Sequence, residues 1–170
     1  MENIVIRKAT HEDIIEVASL HVNSWNETYA GIISQNYLNN MKNNLPKRIE
    51  RMKNEFNLRT MIVATLNDEI VGFSEFVFSN EFSKDLDIDC ELCGLYIKNG
   101  YKKLGLGTKI FDYVVNVFKE QKKKKMGLWC VKENKPAISF YQKKGGIFAK
   151  EKKFTIEKKE YSEVAFVYDL

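Results

Sequence analysis

Residues 91–119, ELCGLYIKNGYKKLGLGTKIFDYVVNVFK, restrict the fold more than any other stretch of this chain. The apolar run 92–97, closed by Asn99 and Gly100, has the length and punctuation of a buried strand; Ile110, Phe111, Val114, Val117 and Phe118 then recur at helical spacing. Between them runs the loop Lys102-Lys103-Leu104-Gly105-Leu106-Gly107-Thr108. Gly105 and Gly107 carry no Cβ, so the backbone there can approach a ligand closely. A helix that starts in this loop directs unsatisfied N–H groups and its positive dipole end outward, which suits a phosphate or pyrophosphate. Lys102 and Lys103 add positive charge at the same place. Spacing excludes two other phosphate motifs. A dinucleotide fingerprint needs a third glycine where Ile110 stands, and a P-loop needs Gly-Lys-Ser/Thr where Gly105 is followed by Leu106-Gly107.

A second block, residues 128–145 (LWCVKENKPAISFYQKKG), reads as a strand, an Asn-x-x-Ala helix start, Phe-Tyr and a closing glycine. Asn134 is placed to cap that helix, and Pro136 falls in its first turn. The two blocks, in this order and at this separation, resemble the GNAT superfamily of N-acetyltransferases. The glycine loop matches that family's Arg/Gln-x-x-Gly-x-Gly/Ala pattern except at its first position, where Lys102 stands. A further departure is Gly145-Gly146-Ile147-Phe148, where the family commonly has Gly-Phe.

The resemblance extends from the opening strand to the last. It implies an α/β, GNAT-like acyl-CoA N-acyltransferase fold whose mixed, mostly antiparallel sheet is splayed at its centre and flanked by helices. It also implies direct acetyl transfer from acetyl-CoA to a primary amine of a small molecule, polyamine or peptide. The implied cofactor contacts are Lys102, Lys103, Leu104, Gly105, Leu106, Gly107 and Thr108 in the loop, Leu95, Tyr96 and Ile97 in the central strand, and Asn134, Ala137 and Tyr141 in the second block. A backbone N–H within residues 95–97 would face the thioester oxygen as it gains charge. Tyr141 stands where the family often places the acid that protonates the leaving thiolate, and a tyrosine of pKa ~10 is protonated at neutral pH. Trp25 and Tyr29 are implied acceptor contacts, and Glu27 beside them suits a cationic amine.

Chemistry asks for a base as well. A lysine-like amine of pKa ~10.4 must lose a proton before attacking, at a cost of roughly 4.6 kcal/mol at pH 7. Glu91 is the first candidate and Glu75 the second; an ordinary carboxylate serves poorly unless burial raises its pKa or water relays the proton. An alternative reading is a non-catalytic acyl-CoA-binding regulatory module that keeps the cofactor site without turnover.

The remaining features bound the answer. A length of 170 residues fits a single domain over 1–170. No apolar run approaches the ~20 residues needed to cross a bilayer, and the start has no leader pattern, so a cytoplasmic protein is expected. Three cysteines argue against a disulfide framework, and Cys90 and Cys93 lack a second pair to complete a metal site, so no metal is expected. The net charge of +4 is a mild excess that suits a polyanionic ligand without any recognised nucleic-acid motif. Expected partners are therefore the amine acceptor alone, with the chain a monomer or homodimer.

Elsewhere the pattern predicts a strand over 4–7 and a helix over 11–26 opened by Thr10 and Asp13. A short helix capped by Ser34 and a helix from Pro46 carrying Ile49, Met52 and Phe56 follow. Strands over 60–65 and 70–78 are joined by a slightly long turn, and 79–89 reads as a solvated acidic loop. A strand over 126–131 and a final pair over 149–157 and 163–168, turning at 158–160, complete the sheet. His11 and His21 fall outside both motifs and read as ordinary residues of the first helix.

Overall fold

In the computed structural model, which describes residues 4–170, these periodicities resolve into seven strands and five helices. They follow in the order β1 (Ile4–Lys8), α1 (Ile14–Thr28), α2 (Gln35–Asn43), α3 (Leu45–Asn54), β2 (Thr60–Leu66), β3 (Glu69–Val77), β4 (Cys90–Ile97), α4 (Leu106–Glu120), β5 (Lys125–Val131), α5 (Lys135–Lys143), β6 (Ile147–Ile156) and β7 (Lys159–Asp169). The strands form one sheet ordered β1-β2-β3-β4-β5-β7-β6.

Local chemistry sets the helix ends. A 3-10 turn, His11–Asp13, precedes α1; the Asp13 carboxylate accepts from the Thr10 N–H at 2.7 Å and from Arg7 Nη1 at 2.7 Å. The Ser34 hydroxyl accepts from the Tyr37 N–H at the start of α2. Pro46 lies in the first turn of α3, and Phe56 falls beyond that helix's end. At the end of α5 the Gly145 N–H bonds the Gln142 carbonyl and the Gly146 N–H bonds the Tyr141 carbonyl, a Schellman motif with Gly145 left-handed at φ +93°. The second glycine has a packing reason: a Cβ at Gly146 would lie 2.6 Å from the Tyr168 hydroxyl oxygen.

Two features of the sheet matter for function. All neighbours pair antiparallel except β4 and β5, which are parallel and share just Cys90↔Met126 and Glu91↔Gly127. Beyond those pairs the two strands part. Against β3, the register steps from Phe76↔Leu92 to Glu75↔Gly94, so Cys93 is the extra residue of a bulge, as the glycine within this strand suggests.

Packing divides the molecule by sheet face. On one face α4 and α5 cover a large core that includes Phe76, Leu92, Ile110, Phe111, Phe118 and Phe166. On the other, α1 packs a smaller set, Val17, Leu20, Val63 and Phe73, while α3 has no fully buried residue.

Three expectations are corrected. The β2–β3 turn is two residues long: Asn67 and Asp68 both take positive φ, 50° and 65°. The last hairpin turns at Glu157 and Lys158, with φ of 48° and 66°, rather than at 158–160. Both are the tight turns whose twist matches the flanking strands, made here without glycine. The 79–89 segment is not simply solvated, since Leu86 and Ile88 are buried against Ala165, and Gly127 leaves the space that Ile88 fills.

Candidate active site

The parting of β4 and β5 opens toward the start of α4. Gly105 is the N-cap residue of α4, left-handed at φ +77°, and no side chain caps it. The first bond within the helix runs from the Lys109 N–H to the Gly105 carbonyl, leaving the N–H groups of Leu106, Gly107 and Thr108 without helical partners. These three residues form the first helical turn rather than loop. Nothing lies within 4 Å of a Cβ built on Gly105. Lys103 also has positive φ, Leu104 is exposed, and Lys102 Nζ stands 3.9 Å from Glu27. Open space, three free donors and two lysines fit the pyrophosphate of coenzyme A.

The β4 main chain borders the same gap. The Lys98 N–H bonds the Val71 carbonyl on β3. Since antiparallel ladders alternate by two, the Tyr96 N–H also faces β3, and the N–H groups of Leu95 and Ile97 face the gap. The Gly94 carbonyl at the bulge accepts from Ser74 Oγ at 2.7 Å.

Five sequence-selected residues form one run of contacts, from Ala137 and Asn134 through Tyr29 and Trp25 to Tyr96 on β4. Asn134 Oδ1 accepts from the Ala137 N–H at 3.3 Å, and its Nδ2 lies 3.5 Å from the Tyr29 hydroxyl. Tyr29 packs 4.7 Å from the Trp25 ring, and Trp25 Nε1 lies 3.4 Å from the Tyr96 hydroxyl. Tyr141 is buried in the large core beside Phe111; burial first, then the neighbouring Cys130, Tyr96 and Tyr168, hold its phenol protonated well above the usual tyrosine range.

On the α1 side of β3 and β4 lies a cleft of about 300 Å³, lined by His21, Arg48, Arg51, Arg59, Phe73 and Glu75 among others. Glu75 pairs in register with Gly94, which puts it beside the bulge. Burial raises its pKa, opposed by Arg59 at 3.5 Å and by Arg48. Glu91 shares the neighbourhood but is 5% exposed, with Oε2 lacking a hydrogen-bond partner. Burial raises its pKa as well, opposed by Ser83, whose hydroxyl accepts from Trp129 Nε1 at 2.9 Å. Of the two candidate bases, then, Glu75 lines the cleft and Glu91 lies covered. Cys93, between them, has its thiol pushed up to about 12 by burial and by Glu91.

Sequence reasoning missed His21, Arg48 and Arg59. His21 stacks edge-on to Tyr96 at 4.6 Å, and Arg48 Nη2 lies 3.4 Å from its Nε2. These residues come from three separate segments, and the one local signal was the i, i+3 spacing of Arg48 and Arg51 on one helix. Among the described residues no cluster of His, Cys, Asp and Glu could hold a metal, and no helix is long and apolar enough to cross a membrane.

The profile of the Acetyltransferase (GNAT) family matches residues 22–146. The uncharacterized N-acetyltransferase YuaI of Bacillus subtilis is 30% identical over 142 residues, covering 82% of this chain and 78% of that protein. The spermidine N(1)-acetyltransferase of Thermoplasma acidophilum is 27% identical over 149 residues, covering 84% and 88%. Among solved structures, the PaiA N-acetyltransferase of Thermoplasma acidophilum in complex with coenzyme A aligns over 95% of this chain and 98% of its own, with a TM-score of 0.72 at 22% identity.

Proposed function

The chain belongs to the acetyltransferase (GNAT) family, and on that premise we propose that it transfers an acetyl group directly from acetyl-CoA to a primary amine of a small molecule or peptide. The observation that carries this reading is the meeting of two openings at one bulge: the gap between β4 and β5 from one side, and the Glu75 cleft from the other, at Gly94.

Acetyl-CoA supplies the activated thioester when bound. The N–H groups of Leu106, Gly107 and Thr108, with Lys102, Lys103, Leu104 and Gly105 around them, hold its phosphates. Asn134 and Ala137 border its arm, and the N–H groups of Leu95 and Ile97, next to Tyr96, stand where negative charge develops on the carbonyl oxygen. Trp25, Tyr29 and Glu27 form the rim shared with the acceptor.

Glu75 takes the amine proton. Its raised pKa narrows the gap to the amine and makes it a better base than a solvated carboxylate. Glu91 is its reserve, reached through water. Tyr141, held neutral by burial, donates a proton to the departing thiolate. The relative named as a spermidine acetyltransferase supports an amine acceptor in general terms.

A thiol-release assay over amines, amino acids and short peptides, paired with calorimetric titration of acetyl-CoA, tests the reading. Expected are turnover on one amine class and, for Tyr141→Phe, a kcat lower by about 10²–10⁴-fold with acetyl-CoA affinity unchanged. Binding without turnover on any amine would point instead to a regulatory module, and failure to bind acetyl-CoA would overturn the reading.

A further inference from the structure

The cleft beside Glu75 carries a charge pattern that acetyl transfer itself does not require. Its walls hold three guanidinium groups, Arg48, Arg51 and Arg59, against two carboxylates, Glu55 and Glu75. Arg59 stands 3.5 Å from Glu75 and Arg51 stands 3.8 Å from Glu55. Arg48, half-buried, makes no ion pair among the described residues.

The polar neighbour of Arg48 is a histidine rather than a carboxylate. His21 is 9% exposed, and burial together with the charges of Arg48 and Arg51 lowers its pKa to about 3. Its ring is therefore neutral. With Nε2 facing the Arg48 guanidinium at 3.4 Å, that nitrogen accepts and the ring proton sits on Nδ1. His21 Nδ1 and Arg48 Nε are then two buried donors, and neither has a hydrogen-bond partner. Neither of these covered atoms opens onto the cleft, whereas Arg48 itself lines it as a cation without a carboxylate partner, and a guanidinium fork matches a carboxylate in particular.

We propose that the cleft takes an acceptor bearing a carboxylate next to its amine, an α-amino acid or an acid of that size, with Arg48 holding the carboxylate and Glu75 facing the amine. This rests on the acetyl transfer proposed above. A cleft of about 300 Å³ is at the small end of ligand pockets, which suits such a molecule. A polyamine has the wrong sign: cationic along its length, it would meet three guanidinium groups in the same cleft.

The test uses the full chain and three probe sets: L-amino acids, the carboxamides of the same amino acids, and spermidine. In thiol-release kinetics with acetyl-CoA, kcat/KM for the best amino acid should exceed that for its carboxamide and for spermidine by at least about tenfold. Arg48→Met keeps an apolar stem and removes the fork. It should raise KM for the acid by about tenfold or more, and by clearly more than it raises KM for the carboxamide, with Arg48→Lys in between. Preference for spermidine, or an equal effect of Arg48→Met on acid and carboxamide, would overturn the proposal.

Calorimetric binding of the same amino acids without turnover separates the two readings. Arg48-dependent binding with no thiol release would uphold the carboxylate site and sink the transfer reaction. Release with spermidine and no binding of any amino acid would do the reverse. Circular dichroism of each variant excludes misfolding as the cause.

Discussion

On the α4 side of the sheet the groups that line the proposed ligand site are main-chain atoms: the N–H groups of Leu106, Gly107 and Thr108, and those of Leu95 and Ile97 at the parted strands. On the α1 side they are side chains, Arg48, Arg59, Glu75 and His21, brought from α3, the segment after it, β3 and α1. The supports differ in the same way. The α4 side rests on a large aromatic and aliphatic core, whereas α3 has no fully buried residue. A site made of backbone tolerates many sequences as long as glycine and strand geometry persist. A site made of side chains, one of them on a lightly anchored helix, can be respecified by a few substitutions. On the function proposed above, the chain pairs a fixed donor side with an adaptable acceptor side.

The comparison breaks first on stability. Phe118, fully buried and edge-on to Phe76 and Phe78, should cost about 3–5 kcal/mol when changed to Ala. Met52→Ala on α3 should cost about 1 kcal/mol or less. Urea denaturation of both variants measures the contrast, and equal losses would refute it.

The acceptor side should also carry an acid-sensitive share of stability. His21 has a folded pKa of about 3 against an ordinary 6.5, so the unfolded chain binds more protons between those values. Its contribution is complete above pH 6.5 and falls by about 1.4 kcal/mol per pH unit as pH drops from there toward 3. Stability measured across that window should show a shallower slope in His21→Gln, whatever the variant's absolute stability.

Two glycines of the donor side should respond in opposite directions. Gly105→Ala forces an L side chain into φ +77° and should lose about 1–2 kcal/mol, although nothing lies near the added carbon. Gly107→Ala sits in the first helical turn, at ordinary contact with Phe140, and should gain about 0.5–1 kcal/mol. A gain of similar size, about 0.5–1 kcal/mol by thermal unfolding, is expected at Lys158→Gly, which relieves a positive φ of 66°.

How far the sequence could be read follows the same division. The order of strands and helices was legible because apolar periodicity is local. The glycine loop at the start of α4 and the β4 bulge were legible because glycine marks helix N-caps and is unusual within a strand. The acceptor cleft was not, since no spacing along the chain joins His21, Arg48, Arg59 and Glu75; only packing does. The different exposure of Glu91 and Glu75 was not legible for a related reason. Leu86 and Ile88, two apolar residues in an acidic stretch, fold that segment over β5 and β7, and Glu91 lies beneath it. The turns were misjudged because Asn67-Asp68 and Glu157-Lys158 lack the glycine that usually marks tight hairpins. Glu157 is held instead by Ser34 Oγ at 2.6 Å and Asn36 Nδ2 at 2.9 Å.

The two register pairs shared by β4 and β5 have a mechanical consequence. One leaf of the sheet, β1 to β4, is joined to the other, β5 to β7, by two register pairs and an Asp89 N–H to Lys125 carbonyl bond at the closed end, and among the described residues no register pair follows along the open length. A molecule seated along that open length and touching both leaves acts as a cross-brace. The donor is then a load-carrying part of the folded protein, and at about a hundred times its dissociation constant it adds roughly 2.7 kcal/mol to the work of unfolding. Resistance to unfolding thus becomes a gauge of how much donor is present.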